Sequence, residues 1–164
     1  MNRKTLIRTA FMLGIIFTLS ACGTAHAASG RQAGPGTQIT KEAQETMLQM
    51  KIGETKVKVS WENNDSVAAL KELCKDAPIT IQMSRYGGFE QVGPIGTRLP
   101  SADVQTRTDA GDIVLYSSSQ IVVFYGSNSW AYTRLGHIED QDAAGMAALL
   151  GSKDVTITLS MKGL

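Results

Sequence analysis

The stretch 113-IVLYSSSQIVVFY-125 holds two apolar runs, 113–116 and 121–125, on either side of four polar residues. Neither run alternates between apolar and polar side chains. Unbroken apolar runs of this length are typical of strands that are covered on both faces or that belong to a closed barrel. Since a hairpin through the polar link is the most economical connection, the stretch predicts two neighbouring strands in a mainly β domain.

Alternating segments at both ends of the body predict further strands. Apolar and polar residues alternate over 48–52 and over 57–62, and the short Gly53-Glu54 link between these segments predicts an antiparallel hairpin. Residues 79–84 predict a third strand. The segment 155–162 alternates in the same way and predicts the last one. About seven or eight strands are expected in all.

Two short amphipathic helices accompany these strands. Asp65 or Ser66 can cap the first, Pro78 ends it, and Cys74 lies on its apolar side, where a buried thiol is expected. The second helix is expected at about 142–150. Because two short helices cannot cover both faces of an open sheet, we expect the strands to close into a barrel whose ends the helices cap.

The segment 85–100, RYGGFEQVGPIGTRLP, is rich in glycine and is expected to be a long irregular segment, of a kind that often carries function. Arg85, Tyr86, Phe89 and Glu90 lie within it. A cation beside aromatic rings and a carboxylate can hold a peptide carbonyl or carboxylate group. The alternative for Arg85 is a surface ion pair with Glu90.

Most aromatic residues of the body lie between 116 and 132. We expect about half of them to pack inside the domain and the others to line a cleft with apolar walls. The candidates for this cleft are Tyr116, Phe124 and Tyr132.

Arg134 and His137 follow this aromatic group. Arg134 can face the cleft, or it can pair with Asp112 or Glu139; the strand character of its surroundings favours pairing. His137 is the only histidine of the body and has no second histidine or cysteine partner. Neither a metal site nor a Ser-His-Asp triad is therefore predicted, and no cofactor is expected.

The N-terminus has the order of an export signal. Basic residues precede an apolar run at 10–18, and small residues follow it. Ordinary signal peptidase could cleave after the small-x-small segment 25–27. The segment 19–22, Leu-Ser-Ala-Cys, resembles instead the lipobox of bacterial lipoproteins, in which the cysteine carries a lipid and becomes the new N-terminus. Its position directly after the apolar run favours lipidation of Cys22.

Three segments follow from this cleavage: a signal peptide at 1–21, a lipidated N-terminus and flexible tether at 22–45, and the domain at 46–164. The expected location is the extracytoplasmic side of the bacterial cell envelope, anchored in the membrane; cleavage after Ala27 would give a secreted or periplasmic soluble protein. After removal of the signal, 13 basic residues remain against 15 acidic ones, without a basic stripe. No nucleic-acid partner is expected.

The order of elements and several motifs resemble the small bacterial cyclophilin-like domain family over about residues 46–163. The most specific pieces are AGDIVLY at 110–116 and YTRLGHI at 132–138, supported by IVVFYG at 121–126 and DVTITL at 154–159. The resemblance implies a closed eight-stranded β-barrel capped by two short helices. It also implies a cleft on one barrel face, where larger cyclophilins hold a proline-containing peptide.

Activity is a separate question, because cyclophilin isomerases use an arginine within a Phe-His-Arg stretch. Its guanidinium weakens the partial double bond that sets the rotation barrier of ~18–20 kcal/mol. No Phe-His-Arg occurs in this sequence, and the aromatic pair of the isomerase groove segment is not reproduced at 120–124. We therefore expect a peptide-binding or small-molecule-binding domain without strong catalysis. The alternatives are an isomerase that assists exported proteins through Arg85 or Arg134, and a structural role in an envelope complex.

Overall fold

The computed structural model describes residues 47–161 of the 164-residue chain. The predicted signal peptide, Cys22, the whole predicted tether and the predicted domain boundary lie outside these residues. No helix within the described range is long and apolar enough to cross a membrane.

The described chain is mainly β, as predicted. It contains two helices, α1 (Asp65–Leu73) and α2 (Ala143–Leu150). Its strands are β1 (Gln49–Ile52), β2 (Thr55–Val57), β3 (Val59–Trp61), β4 (Ile79–Gln82), β5 (Ser84–Tyr86), β6 (Glu90–Pro94), β7 (Val104–Arg107), β8 (Asp112–Tyr116), β9 (Gln120–Phe124), β10 (Ser129–Ile138) and β11 (Thr156–Ser160).

A four-stranded antiparallel sheet joins the two ends of the domain. Its strand order is β2-β1-β11-β4, so the predicted β1–β2 hairpin and the predicted last strand are both present. Met50 lies opposite Leu159 and Ile52 opposite Ile157, and all four side chains are buried. Full burial of such a side chain contributes about 1.5–3 kcal/mol. This apolar pairing fixes the register of the sheet.

A seven-stranded sheet holds the rest of the strands, in the order β3-β10-β8-β9-β6-β5, with β7 also paired to β10. The two apolar runs form the predicted β8–β9 hairpin, in which Ile113 lies opposite Val123 and Leu115 opposite Ile121. These four side chains are completely buried in the main core, together with the apolar residues of the four-stranded sheet. The residues next to them in the two runs, Val114, Val122 and Phe124, belong to a second apolar cluster on the opposite face of the sheet. Because both faces are apolar, the two runs do not alternate.

The prediction of a closed barrel is wrong for the described residues. Their strands form two sheets, and neither sheet closes on itself. The physical reason lies in the two edge strands, each of which changes its pairing partner. The chain passes from β2, paired with β1, to β3, paired with β10, at Lys58. It passes from β4, paired with β11, to β5, paired with β6, at Met83. These breaks, together with β7, also raise the strand count above the seven or eight predicted.

The chain near each of these two changes of pairing partner packs closely against a glycine of the neighbouring strand. A Cβ atom on Gly93 of β6 would lie 2.5 Å from the Met83 sulfur and 2.6 Å from the Gln82 carbonyl oxygen. A Cβ atom on Gly136 of β10 would lie 2.6 Å from the Ser60 carbonyl oxygen. Close approach of one backbone to another is a known reason for glycine within a strand.

Two local predictions need correction. Asn64, rather than Asp65 or Ser66, caps α1: its Oδ1 atom accepts a hydrogen bond of 3.0 Å from the Val67 N–H group, and the helix ends at Leu73, before Pro78. Within the segment 85–100, which was expected to be irregular, residues 85–86 belong to β5 and residues 90–94 form β6. Pairing of β6 with β5 and β9 supplies backbone hydrogen bonds in spite of the glycine and proline content. Cys74 is buried, as predicted, and the helix predicted at about 142–150 is α2, which Asp142 caps.

Candidate functional site

A cavity of about 430 Å³ opens on the face of the seven-stranded sheet that points away from the main core. Four strands of this sheet, β6, β8, β9 and β10, carry most of its lining at alternate positions. The register brings Val92 opposite Val122 and Tyr116 opposite Gln120. The lining residues are Tyr86, Glu90, Val92, Tyr116, Gln120, Val122, Asn128, Trp130 and Tyr132.

Aromatic rings form much of the wall and the rim of this cavity. The Tyr132 ring packs edge-on against Phe124 and Tyr116, with ring centroids 5.8 Å and 6.0 Å away. The side-chain amide of Asn128 donates a hydrogen bond of 3.0 Å to the Tyr132 hydroxyl group, which fixes that ring. At the rim, Tyr86 is 67% exposed and Trp130 is 57% exposed. Such an arrangement offers flat apolar surfaces to a ligand.

Glu90 is the one charged side chain among these lining residues. It is only 6% exposed, and its Oε2 atom is enclosed without a hydrogen-bond partner among the described residues. Burial disfavours the ionised form of a carboxyl group, and it raises the pKa of Glu90 to about 7. Burial also raises the pKa of the Tyr132 hydroxyl, and the charge of Glu90 adds to that shift.

The backbone around Glu90 explains why the carboxyl group stays in this environment. Gly87 and Gly88 adopt φ angles of +61° and +78°, which glycine tolerates best, and they turn the chain from β5 into β6. Glu90 thereby pairs with Tyr86 on one side and with Phe124 on the other. With strands on both sides, β6 cannot rotate to expose the carboxyl group.

Arg85 and Gln91 point to the other side of the same strand pair. The Arg85 guanidinium donates a hydrogen bond of 3.2 Å to the Gly151 carbonyl, and the Gln91 amide donates one of 2.7 Å to the Leu150 carbonyl. Both side chains thus hold the chain that follows α2. Arg85 neither lines the cavity nor pairs with Glu90, because alternation along β5 places it on the opposite face from Tyr86.

Arg134 pairs with Asp112, which is one of the alternatives considered for it. Its two terminal nitrogens lie 3.1 Å and 2.9 Å from the two carboxylate oxygens, and the Nδ1 atom of His137 lies 2.8 Å from one of them. Burial would raise the pKa of Asp112, but hydrogen bonds from the Asp109 N–H group, His137 and Arg134 outweigh burial and lower it. None of these residues lines the cavity.

The other predicted candidates divide between the cavity and the packing behind it. Tyr86, Glu90, Tyr116 and Tyr132 line the cavity. Phe124 is fully buried in a small apolar cluster on the same sheet face, and Phe89 packs against that cluster. Five lining residues were not among the candidates, namely Val92, Gln120, Val122, Asn128 and Trp130. Trp130 could have been found by stepping two residues back from Tyr132 along one strand.

No group of three or more His, Cys, Asp or Glu residues within 47–161 is arranged to hold a metal ion. The cavity itself offers a single carboxylate, together with the amides of Gln120 and Asn128 and three tyrosine hydroxyls. The lining thus combines apolar surface with a few polar groups, a composition that is common in sites for organic ligands.

Residues 50–160 match the model of the Cyclophilin-like family, and since this range is more than half of the chain, the protein belongs to that family. No curated protein and no solved structure matches the sequence. The family explains the mainly β architecture with two helices, whereas the cavity has to be interpreted from its own residues.

The buried carboxyl group predicts a pH-dependent stability. The folded domain keeps a proton on Glu90 up to about pH 7, whereas the unfolded chain releases it near the usual pKa of 4.5. The free energy of unfolding therefore falls as the pH rises through this window, by on the order of 3 kcal/mol. The free energy of unfolding, measured by urea denaturation between pH 4 and pH 8, should not show this decrease in Glu90→Gln.

The matched control is Glu54→Gln, since the Glu54 side chain is 98% exposed on the β1–β2 turn. This variant should follow the wild-type profile. Parallel profiles for the wild type and Glu90→Gln would show that the Glu90 carboxyl group is not buried as described.

Proposed function

We propose that this protein is a lipoprotein anchored on the extracytoplasmic side of the bacterial cell envelope, and that its cyclophilin-like domain binds a peptide segment or small molecule without strong catalysis. The observation that carries the binding function is the aromatic cavity with the buried carboxyl group of Glu90, whose Oε2 atom has no hydrogen-bond partner among the described residues. Leaving such a group without a partner lowers stability. A ligand that reaches the carboxyl group would supply the partner.

The size and the walls of the cavity support the same function. Its volume of about 430 Å³ lies within the usual range for sites that bind small organic ligands. Valine and aromatic side chains supply apolar contacts, and Gln120 and Asn128 supply amide groups for orientation. Because the site is formed by paired strands, little conformational entropy is lost when it is filled.

The isomerase alternative requires a cation next to the prolyl amide of a bound peptide. No arginine is among the residues that line the cavity. Arg85 bonds to the Gly151 carbonyl and Arg134 is paired with Asp112, so neither guanidinium is available there without breaking these contacts. Binding without isomerisation is therefore the function that these residues favour.

A protease-coupled assay with a prolyl peptide tests the absence of catalysis. The mature chain should convert the cis prolyl bond at the uncatalysed rate, because no cavity residue can polarise the amide as an arginine does. Arg85→Ala and Arg134→Ala should give the same background rate. Turnover in the wild type that disappears in either variant would instead identify an isomerase.

The anchor rests on the sequence at 19–22, where a lipobox follows the apolar run directly. A lipoprotein cysteine carries more than one acyl chain, and each buried methylene contributes about 0.8 kcal/mol, so attachment is stable. We propose that residues 22–45 then hold the domain near the membrane surface.

Radiolabelled palmitate tests the anchor in cells. The label should enter the wild-type protein and not Cys22→Ser, because the thiol is the site of lipid attachment. His26→Ala is the control, and it should take up as much label as the wild type. A wild-type mature protein that begins at Ala28 would contradict the anchor.

A further inference from the structure

We infer that the cavity takes the cationic nitrogen of an organic ligand, an ammonium group on an apolar body, with the Glu90 carboxylate as its counter-ion. This inference rests on the proposed binding function and deepens it by naming the class of ligand. Two kinds of ligand carry such an ammonium group: a free organic amine and a peptide with a lysine side chain.

Charge is the first argument. An ionised carboxylate away from water is strongly unfavourable unless a cation or several hydrogen-bond donors accompany it. Glu90 is nine-tenths buried, and the lining contains no lysine, arginine or histidine. The described residues form no ion pair with Glu90. A ligand cation would therefore complete a buried pair of which the protein supplies only the negative half.

The aromatic rim is the second argument and is independent of Glu90. Tyr86, Tyr116 and Trp130 are the exposed aromatic residues of the cavity, at 36% exposure or more. Faces of tyrosine and tryptophan rings attract organic cations, most strongly where water is excluded. Their flat surfaces also suit the apolar body that carries the cation, whereas an anionic ligand would meet the carboxylate of Glu90.

The other titratable side chains of the cavity are Tyr86 on β5, Tyr116 on β8 and Tyr132 on β10, and Phe124 of β9 lies opposite Glu90 in the strand pairing. None of these side chains is a cation at any pH. Proton and ligand cation therefore compete for the same carboxylate. Below pH 7 the affinity for the cation should fall by about tenfold for each pH unit.

Titration calorimetry of the mature protein in detergent tests the inference with four probes. Benzylamine carries the cation on an aromatic body, benzyl alcohol is its neutral counterpart and benzoate its anionic one. The blocked tripeptide Gly-Lys-Gly presents the same cation on a peptide. At pH 8 benzylamine should bind roughly tenfold or more tightly than benzyl alcohol, because the contact is charge-assisted.

Variants connect this preference to the cavity. Glu90→Gln should lose the preference for benzylamine over benzyl alcohol, whereas Glu54→Gln, altered at an exposed glutamate, should keep it. Trp130→Ala alters a rim residue that is 57% exposed, so we expect the variant to fold, and it should weaken benzylamine binding several-fold. Binding of the lysine peptide as well would identify peptides as a source of the cation; binding of benzylamine alone would identify free amines.

Two results would overturn the inference in different ways. Equal binding of benzyl alcohol or benzoate, unchanged in Glu90→Gln and weakened by Trp130→Ala, would exclude a cationic ligand and leave the proposed binding function in place. A failure of all four probes to bind would overturn the inference and count against the proposed function of the cavity as well.

Discussion

The enclosed carboxyl group of Glu90 is the constraint on which the chemistry of the cavity depends. Strand pairing on both sides of β6 fixes its backbone, and the turn at Gly87 and Gly88 fixes its register. The side chain therefore stays on the face of the sheet that carries the cavity. A buried carboxyl oxygen without a partner lowers the stability of a domain, and this cost is the basis of the proposed binding role.

Asp112 is a second buried acid on the same sheet, and its surroundings differ from those of Glu90. Asp112 is buried to a similar degree, but the Asp109 backbone, His137 and Arg134 surround it with donors, and its pKa is lowered. Glu90 has no such partners, and its pKa is raised. Asp112 thus stabilises the β8–β10 pairing, whereas Glu90 contributes to stability only while it is protonated or paired with a ligand.

Sequence patterns predicted much of the fold, because burial on one face produces alternation and burial on both faces produces apolar runs. The β1–β2 and β8–β9 hairpins, α2 and the last strand follow from this. Barrel closure did not follow, since the change of pairing partner at Lys58 and Met83 depends on how the sheets pack. The strand β6 was missed because its glycine and proline suggested a loop.

The candidate site was predictable only in part. Proximity in sequence placed Arg85, Tyr86 and Glu90 in one candidate group. Tyr86 and Glu90 both line the cavity, whereas alternation along β5 places Arg85 on the opposite face. Trp130 lies two residues before Tyr132 on β10, and Gln120 lies opposite Tyr116 in the β8–β9 hairpin, so both follow from predicted elements. Val92 reaches the cavity through β6, a strand that the sequence pattern did not predict.

The most direct test of the account is the titration of the Glu90 carboxyl group itself. Carbon-13 NMR of the side-chain carboxyl, assigned with Glu90→Gln, should give a midpoint near pH 7 for the free protein, as burial requires. Addition of benzylamine should lower this midpoint, because the cation favours the ionised form. A midpoint near 4.5, unchanged by benzylamine, would contradict the account, since it would place the carboxyl group in water and remove the reason for a cationic ligand.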